Sequence, residues 1–200
     1  MYKVFFNRKS IVLTTKIVNH NDKTPLFYAK YTDQKQIIAA LKSKKTTGIF
    51  LYHANEEKLW KHMKKHFPLV LAAGGLVQHQ NGKILFIFRN KKWDLPKGRI
   101  HKNEMLIDGA IREVMEETGV MDLIVKKNLP NTFHVFSRNG SYKLKKTVWY
   151  LMTTSYDGVL HPQLEEDIEL AVWKSKKDIP KLMKNAYENI KLLFEETTLK

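Results

Sequence analysis

One stretch, Gly98 to Val120, constrains this chain more than any other. Apolar residues Leu106, Ile107, Ala110, Ile111 and Val114 recur at helical spacing, which predicts an amphipathic helix from about Glu104 to Thr118, stopped by Gly119. Glu113, Glu116 and Glu117 stand at i, i+3 and i+4, on one flank of its apolar face. Like charges at these spacings repel. Two of the three fall in the last turn, where the helix dipole already disfavours anions. Each effect costs from a few tenths to about 1 kcal/mol. A sequence serving helix stability alone would not gather carboxylates there. A bound hard cation removes the conflict, and carboxylate oxygens are the ligands Mg²⁺ or Mn²⁺ prefers.

The rest of the chain supplies enough material for a full domain, with or without a small satellite. It has 200 residues, 43% hydrophobic and 28% charged, a globular composition. It has no cysteine, which excludes a disulfide scaffold, a thiolate zinc site and a cysteine nucleophile. The longest apolar run, Phe67 to Val77, contains Pro68 and Gly74-Gly75 and is too short to cross a bilayer. With no signal-peptide pattern, the expectation is a soluble, cytoplasmic protein with no membrane partner. Net charge is +15. Residues 1–68 hold fourteen basic and four acidic residues, so the excess is mostly N-terminal. Such a surface favours anionic partners, although a solvated lysine surface is the plainer reading.

Read in order, the chain opens with strands at 2–6, 11–15 and 26–28. A helix capped by Thr32 or Asp33 runs to about Leu41, followed by a strand at 48–52. A second helix, capped by Asn55, carries Leu59, Trp60, Met63 and Phe67 and ends at Pro68. A domain boundary is expected there: a small basic α+β domain over 1–68, then a second domain over 69–200. In the second, strands are expected at 69–77 and 84–88, with a loop through 90–98 before the acidic helix. A hairpin follows, with strands at 133–136 and 142–152 around Asn139-Gly140. After a loop from Ser155 to Glu169 come a strand at 171–173 and a closing helix from Ile179 to about Glu195.

The acidic helix belongs to a longer pattern. Gly98, five residues, Glu104, seven residues, Arg112-Glu113-Val114, Met115, Glu116-Glu117, Thr118, Gly119 and Val120 follow in register. This resembles the Nudix box, and every specified position matches. Looser resemblance, in Gly74-Gly75-Leu76-Val77 and in Trp93-Asp94-Leu95-Pro96-Lys97-Gly98, extends from about residue 69 to the C-terminus. The resemblance implies an α/β fold: an α/β/α sandwich with a mixed sheet, here preceded by the small α+β domain. It implies a hydrolase cleaving a nucleoside diphosphate linked to another group, with Mg²⁺ or Mn²⁺ as cofactor. It makes Glu113 and Glu117 the principal metal ligands, Glu116 a further ligand or the general base, and the backbone near Lys97-Gly98 a possible fourth donor. Arg112 and Glu104 become an ion pair orienting the loop, while Gly98 and Gly119 permit turns at the two ends. Glu166, in the acidic loop 165–169, is the acid expected to join from outside the box.

Around such a centre, cations are expected to hold the anionic substrate. The candidates are Arg89, Lys97, Arg99, Lys143, Lys145 and Lys146. Trp93 is read first as packing under its loop, with stacking on a base as the alternative. The WDLPKG segment resembles members acting on diadenosine polyphosphates, diphosphoinositol polyphosphates or RNA 5′ ends, with diadenosine polyphosphates favoured. A second class stays open: a ligand sensor or nucleic-acid-binding regulator without turnover. The first segment would then be a contact surface. Its other readings are a homodimer interface or a lid over the substrate pocket.

Overall fold

A computed structural model describes residues 1–197 as two compact units. The first comprises Met1–Val70 together with Phe133–Lys145, and the second Leu71–Thr132 and the described residues from Lys146 onward. In chain order the elements are β1 (Tyr2–Phe6), β2 (Lys9–Thr14), β3 (Leu26–Tyr28), α1 (Gln34–Lys42), β4 (Gly48–Tyr52), α2 (Glu56–His66), β5 (Leu69–His79) and β6 (Ile84–Arg89). These are followed by β7 (Lys92–Asp94), β8 (Lys97–Arg99), α3 (Leu106–Thr118), β9 (Ile124–Arg138), β10 (Ser141–Thr154), β11 (Ile168–Lys174), α4 (Ile179–Met183) and α5 (Glu188–Glu196). Strands β9 and β10 contribute residues to both units. Among the described residues, no helix is long and apolar enough to cross a membrane.

In the first unit β1 pairs antiparallel with β2, β2 parallel with β4, and β4 parallel with β3. On its other edge β1 runs parallel to β9, with Val4 opposite Phe133. Both helices start where a side chain meets their free amides. Asp33 accepts from the Gln36 amide while the Gln36 side chain reaches back, a reciprocal cap. Asn55 accepts from the Lys58 amide. Their apolar faces, through Ile37, Leu41, Leu59 and Met63, close over Ile11, Leu13, Ile49 and Leu51 of the sheet.

The second unit has the strand order β11-β6-β5-β10-β9, with β7 paired to β6 and β8 to β5. Strands β5 and β6 and the second half of β10 are buried on both faces, and their alternate residues divide between two cores. Ile84, Phe86, Leu76 and Trp149 join Leu182, Ile190 and Leu193 of α4 and α5. Leu85, Val77 and Tyr150 join Ala110 and Val114 of α3. Period-two alternation thus places α3 on one face of a mixed sheet and α4–α5 on the other, an α/β/α sandwich.

Several elements differ from the sequence expectation. The loop through 90–98 contains β7 and β8, which exist only because β6 and β5 offer partners. The acidic helix begins at Leu106, since Glu104 is engaged by Arg112. The hairpin strands are longer, spanning 124–138 and 141–154, and β11 starts at Ile168. The closing helix is broken: residues 184–187 leave it to bond with β7. There Trp93 donates to the Asn185 carbonyl, the Tyr187 amide donates to the Trp93 carbonyl, and the Asn185 amide group donates to the Lys91 carbonyl.

Candidate active site

The carboxylates are positioned by the contact of α3 with β8 and the segment before it. Strand β8 is held against β5, with Gly74 opposite Lys97 and Ala73 opposite Gly98. From α3, Glu117 reaches back and accepts a hydrogen bond at Oε2 from the Lys97 amide, 2.8 Å. Glu117 is fully buried, and its Oε1 has no hydrogen-bond partner among the described residues. The nearest cation to it is Arg89 Nη1 at 3.6 Å. Burial pushes the Glu117 carboxyl up to about 7 against the opposing charges of Lys97 and Arg89.

Glu113 is also buried and lies against Gly98. A Cβ at position 98 would stand 1.8 Å from Glu113 Oε2. Gly98 does not mark a turn: it sits inside β8 with no left-handed φ, and its value is the missing side chain. Gly119 does end the helix in the left-handed region, at φ 74°. Burial raises the Glu113 carboxyl. Arg112 opposes this, while the Glu166 and Glu116 charges add to it.

Arg112 organises the other side. Its Nε and Nη2 grip both oxygens of Glu104 at 2.7 and 2.9 Å, and Nη2 also donates to the Arg99 carbonyl at 3.1 Å. Nη1 donates to Glu113 at 2.7 Å and to Glu116 at 2.9 Å. The fork holds the Glu104 carboxyl down at about 2 and keeps the guanidinium firmly protonated. Glu104 also accepts from the His101 amide, so one carboxylate ties loop 99–104 to α3.

A cleft of about 380 Å³ opens beside these groups, lined by Arg99, His101, Lys102, Arg112, Glu113, Glu116 and Glu166. It brings together four sequence candidates: Arg99, Glu113, Glu116 and Glu166. Glu117 lies deeper, at the Lys97 amide. Arg89 and Lys97 are turned inward rather than outward to a rim. Lys97 is buried and its ammonium pairs with buried Asp94 at 3.0 Å. Lys146 is half-buried on β10, while Lys143 and Lys145 belong to the first unit. Trp93 packs on Phe88 beneath the Lys174 ammonium. Asp94, His101 and Lys102 were not singled out by the sequence. The only signals for them were a charge inside WDLPKG and the basic run after Gly98.

The donor set fits a divalent cation. Two buried carboxylates face the β8 segment, and one of them has an oxygen with no hydrogen bond. Among the described residues, no three acidic or imidazole groups are gathered around one point. Arg112 accounts for part of this, because it already occupies Glu113 and Glu116. A cation held by Glu113 competes with Arg112 Nη1 for Oε1.

The chain is 32% identical over 102 residues to "mRNA decapping complex subunit 2" of Schizosaccharomyces pombe, covering 51% of this chain and 13% of that protein. It is 40% identical over 48 residues to an "RNA pyrophosphohydrolase" of Bartonella tribocorum, covering 24% of this chain and 28% of that protein. These matches thus span only a minor part of either relative. Among solved structures, the MutT protein of Methanosarcina mazei Go1 matches with a TM-score of 0.51 and 22% identity, over 64% of this chain and 92% of that one, a likeness of fold. The family model for the NUDIX domain matches residues 68–194, more than half of the chain. With the box at Gly98–Val120 inside that match, the chain belongs to the Nudix family.

Proposed function

We propose that the chain is a metal-dependent hydrolase of phosphoric anhydride bonds in highly anionic substrates. The observation that carries this reading is the buried Glu117 carboxylate, with one oxygen lacking a hydrogen bond, beside Glu113 at the Gly98 strand. A carboxylate kept in that state is costly unless a cation joins it. Glu113 and Glu117 are the principal metal ligands in this reading, with Glu116, Glu166 and the Gly98 backbone as further donors. The cofactor is Mg²⁺ or Mn²⁺. Bound there, it supplies charge neutralisation of phosphate oxygens and acidification of water.

The chain's own residues do the rest. The Lys97 amide fixes Glu117 Oε2, while Oε1 has no hydrogen bond and lies 3.6 Å from Arg89 Nη1. Arg112 holds loop 99–104 and sets the Glu113 and Glu116 side chains. Glu116, half-exposed at the cleft, serves in this reading as a further ligand or as the general base that accepts a proton from attacking water. Arg99 and Lys102 line the same cleft and supply positive charge for substrate phosphates.

The substrate belongs to the diadenosine polyphosphate or RNA 5′-end class. WDLPKG resembles members of both classes, and the names of the curated relatives support the second. Turnover with Mg²⁺ or Mn²⁺ on a panel decides: diadenosine polyphosphates, a diphosphoinositol phosphate, ADP-ribose, nucleoside triphosphates and 5′-triphosphorylated RNA. Preference for a dinucleotide or RNA member, lost in Glu117→Gln, supports the reading. Silence across the panel from folded, metal-loaded protein overturns it in favour of a sensor.

A further inference from the structure

The first unit carries most of the chain's positive charge. Residues 1–70 and 133–145 hold seventeen Lys and Arg against four Asp and Glu, a net of +13 out of +15. Two of the four acids have structural tasks. Asp33 caps α1, and Glu56 accepts from the Tyr2 hydroxyl. Among the described residues, none of the Lys or Arg in 1–70 lies in an ion pair within 4 Å. On α2 the exposed Lys58, Lys61, Lys64 and Lys65 fall within an arc of about 120°, at 100° per residue, with Glu57 the one acid in it. Lys61 and Lys65 are a repelling i, i+4 pair.

Beside this arc stand exposed rings. The turn Ala29–Tyr31 packs on α2, and His62 Nε2 lies 2.8 Å from the Thr32 carbonyl. Tyr31 is 74% exposed, with the Lys30 ammonium 5.3 Å from its centroid. Tyr28 is 49% exposed and meets Tyr52 edge-on at 5.4 Å.

We propose that this face of the first unit binds single-stranded RNA, with the α2 lysines on the phosphates and Tyr31 and Tyr28 as stacking surfaces for bases. Cations along a track with interleaved aromatic faces are what a flexible polyanion with planar bases requires. A bilayer fits less well, because Leu59 and Met63 of α2 are buried and its half-buried Trp60 packs against the core, which leaves no apolar stripe to insert beneath the lysines. An acidic protein also fits less well, since lysine is depleted from the centres of protein interfaces. Fifteen of the seventeen cations are lysine, the exceptions being Arg8 and Arg138. Lysine acts as a point charge and lacks the fork that reads base edges, so the binding is indifferent to sequence. Binding here does not depend on the hydrolase reading.

The test is fluorescence anisotropy of the full chain with a labelled mixed-sequence RNA of twenty nucleotides, in EDTA so that no turnover occurs. Contact with about five phosphates gives a salt slope near −3.5 and a loss of affinity of about a hundredfold between 50 and 200 mM KCl. Lys58→Glu/Lys61→Glu/Lys65→Glu is expected to weaken binding at least tenfold, and Tyr31→Ala about five- to tenfold. Glu117→Gln is expected to bind like wild type, which separates this proposal from the fate of the catalytic reading. Circular dichroism and melting keep folding defects apart, and the milder Lys→Gln triple variant provides a second reading of the same face. Three results would overturn the proposal: no binding at 50 mM KCl, binding unchanged in both the lysine and tyrosine variants, or equal affinity for phosphatidylserine vesicles insensitive to Tyr31→Ala.

Discussion

Replacing Glu117 with glutamine removes a buried charge that the metal-free protein carries at a cost. The Glu117 carboxyl stands at about 7 in the fold against an ordinary 4.5. The folded state therefore binds this proton more tightly than the unfolded state. Its contribution is fully present below pH 4.5 and is lost as pH rises through about 7. At about 1.36 kcal/mol per unit, the metal-free protein gives up roughly 2–3 kcal/mol at this residue between pH 5 and pH 8. The assay is urea unfolding in chelator at both pH values. Tryptophan fluorescence follows it, since three of the four tryptophans, Trp93, Trp149 and Trp173, lie in the second unit. Wild type is expected to lose that much more stability across the interval than Glu117→Gln. Millimolar Mn²⁺ at pH 8 should recover it in wild type and leave the variant where it was. Parallel pH profiles for the two proteins would refute the reasoning, since the carboxylate would then be accommodated without a cation.

Three further substitutions probe the supports of the site. Gly98→Ala places a Cβ 1.8 Å from Glu113 Oε2, and is expected to displace that carboxylate and abolish metal-dependent stabilisation in a thermal shift assay. Arg112→Lys replaces a fork bound to both Glu104 oxygens with a point charge, and should cost about 1–3 kcal/mol in unfolding. Asp94→Asn frees the Lys97 ammonium from its 3.0 Å pair, so its charge is left to act on the Glu117 carboxylate, whose Oε1 has no hydrogen bond. Mn²⁺ affinity is expected to fall, and Asp94→Asn/Lys97→Met to recover most of it. Equal affinity in wild type and both variants would show that Asp94 does not keep the lysine off the metal site.

What could be read from the sequence was what the chain encodes locally. The α3 face, its stop at Gly119, the caps at Asp33 and Asn55 and the Asn139-Gly140 turn all depend on residues a few positions apart, and each is present. At the turn, Asn139 and Gly140 both have positive φ, as a two-residue hairpin requires. Features set by distant partners were not legible. Strands β7 and β8 are three residues each and form by pairing with β6 and β5. The break between α4 and α5 exists because 184–187 bonds to Trp93 and Lys91. The parallel register of Val4 with Phe133 joins residues from opposite halves of the chain, so the first unit includes a hairpin tip that a division at Pro68 leaves out. At the site, residue types indicated a metal and an anion. Only the fold shows that Lys97 is consumed by Asp94, and that Gly98 serves to admit Glu113 rather than to turn the chain.

In the proposed function, Glu113 and Glu117 hold the metal on which hydrolysis depends. The most direct test is a Mn²⁺ titration followed by electron paramagnetic resonance on wild type and Glu117→Gln, with turnover of the best panel substrate measured on the same samples. The account predicts Mn²⁺ binding by wild type, at least tenfold weaker binding by the folded variant, and loss of most turnover with it. Unchanged Mn²⁺ affinity and turnover in a correctly folded Glu117→Gln protein would contradict it.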